Sequence, residues 1–251
     1  MTDGAIDKQR RKGNAKIVSF SGIDGAGKST QIDHLRLSCQ EIGLRVQSVI
    51  FWEDIAKLKS VRETAGYAIF KGDKGVGSPS APINRRDKNV QSFPMTVVRL
   101  FIYFIDALST RNAFKKARRT DTDLVIFDRY IYDELANLSL SNPVLRIYAR
   151  LILKLTPKPD VSYILDADPA QARARKPEYP LDFLVQNRNA YLRLSKIAGG
   201  LTVVPPLAID KVKDVVVECA SRLFGVAAAL DAFSIAKLPK AQTQSVRMEP
   251  L

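Results

Sequence analysis

Alternating strand and helix patterns predict an α/β fold, a five-stranded parallel sheet with helices on both faces. Three observations lead there. Apolar runs at 16–21, 44–51, 124–128, 160–166 and 201–204 are separated by stretches of helical period. The run Leu124-Val125-Ile126-Phe127 is apolar at every position, as a central strand buried on both faces requires. The first run ends in Gly22-Ile23-Asp24-Gly25-Ala26-Gly27-Lys28-Ser29, and a helical pattern follows at once.

That last stretch satisfies G-x-x-x-x-G-K-[ST], a phosphate-binding loop between a strand and a helix. Its glycines reach backbone angles closed to other residues, so successive N–H groups can turn toward one anion. The helix starting near Lys28 adds the positive end of its dipole. Lys28 can reach the β- and γ-phosphates of a nucleoside triphosphate, and the Ser29 hydroxyl can ligate Mg²⁺. The predicted nucleotide contacts are Gly22, Asp24, Gly25, Ala26, Gly27, Lys28, Ser29 and Thr30.

The other elements follow in order. Residues 1–15 are polar, with Lys8, Arg10, Arg11 and Lys12 clustered, and read as a basic, flexible leader. The first helix is expected at 28–42, with Ile32, Leu35, Cys39 and Ile42 inward and Gly43 as its stop. A short helix is expected somewhere in 54–70. The segment 71–92, rich in Gly, Pro, Lys and Asp, reads as a long insertion loop. A substrate lid and an inert insertion are equally compatible with it. A long helix spans 94–118, with Met95, Val98, Ile102, Ile105 and Leu108 or Ser109 as its apolar face. Its basic end (Arg111, Lys115, Lys116, Arg118, Arg119) suits the negative end of a helix dipole. Asp128 closes the 124–128 strand beside the phosphate loop, where a carboxylate can hold Mg²⁺ together with Ser29. Helices are expected at 131–140, 143–155, 182–198 and 210–231. Pro143 opens the second of these, and Asp168-Pro169 opens a further helix carrying Arg173 and Arg175. A tail runs from 233 to 251, so the folded domain is set at 16–232.

Composition narrows the function. Lys and Arg outnumber Asp and Glu by 39 to 26, so anionic partners are favoured. A basic leader alone supplies part of that excess, and nucleic acid is not the expected partner. One histidine and two distant cysteines exclude a His/Cys metal cluster and a disulfide framework. His34 reads as a surface or packing residue. No run of about 18 apolar residues offers a spanning helix, and the N-terminus lacks the apolar segment of a signal peptide. A cytoplasmic protein without a membrane partner is expected.

Four blocks, in order, resemble the thymidylate kinase family of P-loop nucleoside monophosphate kinases. They are Phe20 to Thr30, with an Asp inside the phosphate loop; Leu124 to Tyr130, a strand ending in Asp-Arg-Tyr; Tyr163-Ile164-Leu165-Asp166-Ala167-Asp168-Pro169; and Arg188-Asn189-Ala190-Tyr191-Leu192. The resemblance covers roughly 16–225 and implies a P-loop NTPase fold with a short lid at 173–182. It implies an ATP-dependent kinase, a transferase passing the γ-phosphoryl of ATP, with Mg²⁺, to dTMP or a related monophosphate. It places Asp24 toward the acceptor sugar, Arg129 at the acceptor phosphate, and Arg173 and Arg175 among the lid arginines. Ala26 stands where some members carry an arginine, so a lid arginine is the catalytic one. Helices like 94–118 and 131–155 pair two subunits in the family, which implies a homodimer.

The acceptor half departs from the family. Phe51-Trp52-Glu53-Asp54-Ile55-Ala56 replaces an Arg-Glu-Pro-Gly-Gly-Thr stretch, leaving Glu53 as a substitute. Asp106-Ala107 replaces an Asp-Arg pair, leaving Arg99 two turns earlier to face a base or phosphate. Asp24, Glu53, Arg99, Asp106 and Arg129 are the expected acceptor contacts. Two alternatives stand beside a monophosphate kinase: a P-loop kinase of a sugar, nucleoside or other precursor, and a nucleotide-dependent binding or regulatory protein. No Asn-Lys-x-Asp signature supports a GTPase.

Overall fold

A computed structural model describes residues 14–56 and 93–225. Its five strands are β1 (Lys16–Ser21), β2 (Val46–Ile50), β3 (Leu124–Asp128), β4 (Val161–Leu165) and β5 (Thr202–Val204). They form one sheet in the order β2-β3-β1-β4-β5, and every pairing is parallel. Parallel neighbours need crossover connections, and helices supply them. These are α1 (Lys28–Glu41), α2 (Phe93–Arg118), α3 (Ile131–Leu135), α4 (Pro143–Leu155), α5 (Pro169–Arg175), α6 (Leu181–Ala198) and α7 (Ile209–Ser221).

Side chains alternate across the strands and build two cores. Ile17, Val125 and Phe127 face one core, beneath α2, α3, α4 and α6. Val18, Phe20, Leu124 and Ile126 face the other, with Ile32 and Leu35 of α1 and Val216 of α7. β3 is fully buried from Leu124 to Phe127, as its apolar run predicts. Asp160 and Arg118 tie the N-terminal edge of the sheet together. The Asp160 carboxylate accepts from the Ile17 amide at 2.7 Å, and Arg118 pairs with it at 2.8 Å. Ala15 is already buried, and its carbonyl accepts from Arg118.

Several expectations change. The second strand covers 46–50 rather than 44–51. Phe51–Ile55 coils into a π-helical turn instead of starting a helix near 54, and the Asp54 carboxylate caps it by accepting from the Ile50 amide. The remainder of the expected 54–70 helix and the 71–92 loop lie outside the described residues. The expected apolar face of α2 holds only in part: Ile102 and Ser109 are buried. Val98 and Leu108 are exposed, while Arg99, Ile102, Tyr103, Asp106, Ala107 and Thr110 are buried. The buried stripe mixes polar and apolar residues, so hydrophobic period alone placed it only in part. The expected 131–140 helix stops at Leu135, and the expected 210–231 helix stops at Ser221. The fourth and fifth strands cover 161–165 and 202–204 rather than 160–166 and 201–204.

Candidate active site

The phosphate loop leaves the C-terminal edge of β1. Gly22, Gly25 and Gly27 have φ of 146°, 83° and 88°, so the curvature falls on residues without a Cβ. At Gly25 a second constraint is steric. A Cβ there would collide with the carbonyl oxygen of Ala172 on α5, so the loop and the helix that begins the lid touch backbone to backbone. α1 starts at Lys28, and Ser29 beside it is exposed.

Lys28 folds back over the loop, donating to the carbonyls of Gly22 at 2.8 Å and Ile23 at 2.9 Å. It is buried. Burial, and next the Arg129 charge, lower its pKa to about 8, while Asp24, Asp133 and Asp128 pull the other way. Asp128 pairs with Phe20 across β3 and β1, at the strand ends beside the loop. Burial raises its pKa, against the pull of Arg129 and Lys28. The structure therefore brings Lys28 and Asp128 together, as the sequence predicts.

Arg129 turns in beside the phosphate loop, against Asp24. It is the one described non-glycine residue with a left-handed backbone, at φ 70°. That turn carries its guanidinium between two carboxylates. It pairs with Asp24 and, at 3.3 Å, with Asp133. Burial opposes its charge, yet Asp24 and Asp133 hold its pKa well above the usual arginine value. The trio carries one positive and two negative charges.

Asp133 is the residue that sequence reasoning missed. It is 2% exposed and accepts four hydrogen bonds. Their donors are the Ser21 hydroxyl at 2.5 Å, the Tyr130 amide at 3.1 Å, Arg129 at 3.3 Å and the Tyr191 hydroxyl at 2.8 Å. One carboxylate thus joins β1, the β3–α3 corner and α6. The available signal was its spacing, an acid three residues after Tyr130 at a helix start.

On the lid side, Asp168 caps α5 by accepting from the Gln171 amide at 2.9 Å. Arg188 grips Asp166 through two bonds of 2.6 and 2.7 Å, fixing α6 to the end of β4. Arg173 donates through Nε to the Tyr179 carbonyl at 3.2 Å and is half-buried, whereas Arg175 is exposed. Glu53 is exposed on the turn after β2. Arg99 and Asp106 are buried on α2.

These residues fit a Mg²⁺–triphosphate. The glycine cradle excludes side chains, Lys28 already satisfies main-chain oxygens with the donors that a phosphate would take, and a hydroxyl and a carboxylate supply hard oxygen donors. Among the described residues no cluster of three His, Cys, Asp or Glu offers an all-protein metal cage.

No protein-family model matches the chain. It is 25% identical over 183 residues to a probable thymidylate kinase of Methanosphaera stadtmanae, covering 71% of this chain and 83% of that protein. It is 28% identical over 187 residues to a probable thymidylate kinase of Pyrobaculum aerophilum, covering 70% and 81%. The crystal structure of thymidylate kinase from Ehrlichia chaffeensis superposes with a TM-score of 0.55 at 16% identity, covering 83% of this chain and 99% of that one. Thymidylate kinase from Candida albicans gives 0.55 at 14%, covering 84% and 92%. In sequence and in fold, a P-loop NTPase fold, the chain is thymidylate kinase-like.

Proposed function

We propose that the chain is an ATP-dependent nucleoside monophosphate kinase, transferring the γ-phosphoryl of ATP to dTMP or a related monophosphate. The observation that carries this reading is the register Phe20↔Asp128. It sets Asp128 and Arg129 at the end of β3 beside the phosphate loop, within electrostatic reach of Lys28 at the start of α1. Such transfer needs positioning and positive charge more than acid–base chemistry.

The loop amides and Lys28 hold the donor phosphates, Lys28 leaving the Gly22 and Ile23 carbonyls for phosphate oxygens. Ser29 and Asp128 are the residues that would hold Mg²⁺, which when bound offsets phosphate charge. Asp24 and Arg129 face the acceptor, with Glu53, Arg99 and Asp106 forming its far wall. Arg173 is tied to the lid backbone, so Arg175 is the lid arginine free to reach the migrating phosphoryl. The donor site is complete in this reading, and the acceptor is selected by the rebuilt half.

A homodimer is part of the proposal. Val97, Phe101, Phe104 and Leu108 are exposed at i, i+4, i+7 and i+11 on α2, beside exposed Val144, Ile147 and Leu151 of α4. A two-layer patch of this kind suits a second copy. Among the described residues no helix is long and apolar enough to cross a membrane. Both cysteines are free thiols, which supports a reducing cytoplasm.

The test is ADP release from Mg·ATP in a coupled assay, run against a panel of nucleoside monophosphates. We expect acceptor-dependent turnover that Lys28→Ala abolishes. Turnover with a non-phosphorylated sugar or nucleoside alone would transfer the reading to a different small-molecule kinase.

A further inference from the structure

A second cationic surface lies at the other end of the sheet. A groove of about 560 Å³ runs between the ends of α2 and α4, lined by Arg111, Lys115, Arg118, Arg119 and Lys154 above Phe114. It adjoins the N-terminal ends of β3 and β4, whereas the phosphate loop leaves the C-terminal end of β1. The length of a strand, about 17 Å, separates them. The groove therefore belongs to neither half of the candidate active site.

Its charge is not neutralised within the fold. Arg118 is engaged by Asp160 and by the Ala15 carbonyl, and its guanidinium lies 5.2 Å from the centre of the Phe114 ring. The other four cations make no ion pair among the described residues. Neither 107–119 nor 136–159 contains an acidic residue. A helix dipole accounts for a cation or two at each helix end. It does not account for four facing one another across a groove, where mutual repulsion costs stability unless an anion is present.

The pattern along α2 also separates this surface from the dimer patch. The exposed stripe is apolar at Val97, Phe101, Phe104 and Leu108, then continues in the same helical step as Arg111, Lys115 and Arg119. The apolar half suits another copy of the chain, but the cationic half requires an anion. Steps of four residues space its charges about 6 Å apart along the helix, a repeat that a polymeric phosphate backbone can follow. The one aromatic ring, Phe114, is buried beneath Arg118 and offers no platform for an unstacked base. A duplex, whose bases stack on one another, presents only its backbone.

We propose that this groove binds the sugar–phosphate backbone of duplex nucleic acid, independently of base sequence. This departs from the expectation drawn from composition alone. Four available cations predict a slope of log K against log salt of about −3.6.

The experiment measures binding of the full chain to a fluorescein-labelled random duplex of about 20 base pairs, between about 50 and 200 mM salt. Lys115→Gln with Arg119→Gln is expected to reduce the slope to about half and weaken binding at least tenfold. ADP release from ATP should be unchanged. The control, Lys211→Gln with Arg222→Gln, removes the same charge from α7 and the residue that follows it, on the opposite face of the sheet, and is expected to leave binding intact. Equal loss in the control would mean diffuse charge attraction and overturn the proposal. So would undiminished binding by the groove variant, or capture of the chain by anionic lipid vesicles with the same dependence on Lys115 and Arg119.

Discussion

Lys28 gives the most quantitative test of the site. Burial lowers its pKa from the usual 10.5 to about 8. The charged lysine is thus disfavoured in the folded chain by about 3 kcal/mol relative to the unfolded one. The sign follows from proton counting. Between the two values the unfolded chain holds the proton and the folded chain does not, so stability rises with pH. The cost is fully present below about pH 8 and fades as pH approaches 10.5. Lys28→Met removes it, so the wild-type deficit relative to this variant should shrink by about 2 kcal/mol between pH 7 and pH 9.5. Urea unfolding of both proteins without nucleotide reads this directly. Buried tyrosines titrating at high pH affect both proteins equally and cancel in the difference. A bound triphosphate restores the charged form, so Mg·ATP binding above pH 8 should take up close to one proton, measurable in buffers of different ionisation enthalpy. A flat difference curve, with no proton uptake, would refute the argument that Lys28 is held desolvated for an incoming phosphate.

The remaining predictions concern packing and charge. Gly25 and Gly43 share φ 83°, but only Gly25 faces a collision with Ala172, whereas nothing lies within 4 Å of a Cβ at Gly43. Gly43→Ala should cost about 1 kcal/mol by thermal unfolding and leave ATP affinity intact, while Gly25→Ala should cost more and abolish nucleotide binding in a fluorescence titration. Asp133→Asn should lower stability by about 2 kcal/mol yet lower the acceptor KM, because it neutralises the excess negative charge around Arg129. Phe101→Glu on the exposed stripe should shift the chain toward a monomer in analytical ultracentrifugation, with the fold retained by circular dichroism.

The donor half was legible because its signals are local. The glycines of Gly22 to Gly27, the helix start at Lys28 and the apolar β3 run each specify backbone through neighbouring residues, and Asp128 follows from its place at a strand end. The acceptor half was less legible because its contacts cross the chain. Nothing near Asp133 announces that Ser21, 112 residues away, and Tyr191, 58 residues away, will donate to it. The buried face of α2 was only partly assigned, for a related reason. Arg99, Asp106 and Thr110 are polar side chains facing inward, and a hydrophobic stripe cannot reveal a face built for polar partners. The same rule misled at Val98 and Leu108, which are apolar but exposed.

The charges of the site have one further consequence. Arg129 resembles a phosphate clamp in sequence, but Asp24 and Asp133 leave it inside a trio of net charge −1. A dianionic acceptor phosphate approaching that trio meets attraction from the guanidinium and repulsion from two carboxylates. Lys28 lies within electrostatic reach of Asp24 and Asp133, and a Mg²⁺ held at Ser29 and Asp128 would add positive charge once the triphosphate site is organised. The acceptor should therefore bind weakly to the empty enzyme and more tightly after Mg·ATP. Coupling of that kind must be reciprocal, so the acceptor should raise ATP affinity by the same factor. Calorimetric titrations in both orders measure the two factors. A factor near one would mean that Arg129 already holds its ligand unaided and that Asp133 serves the fold alone.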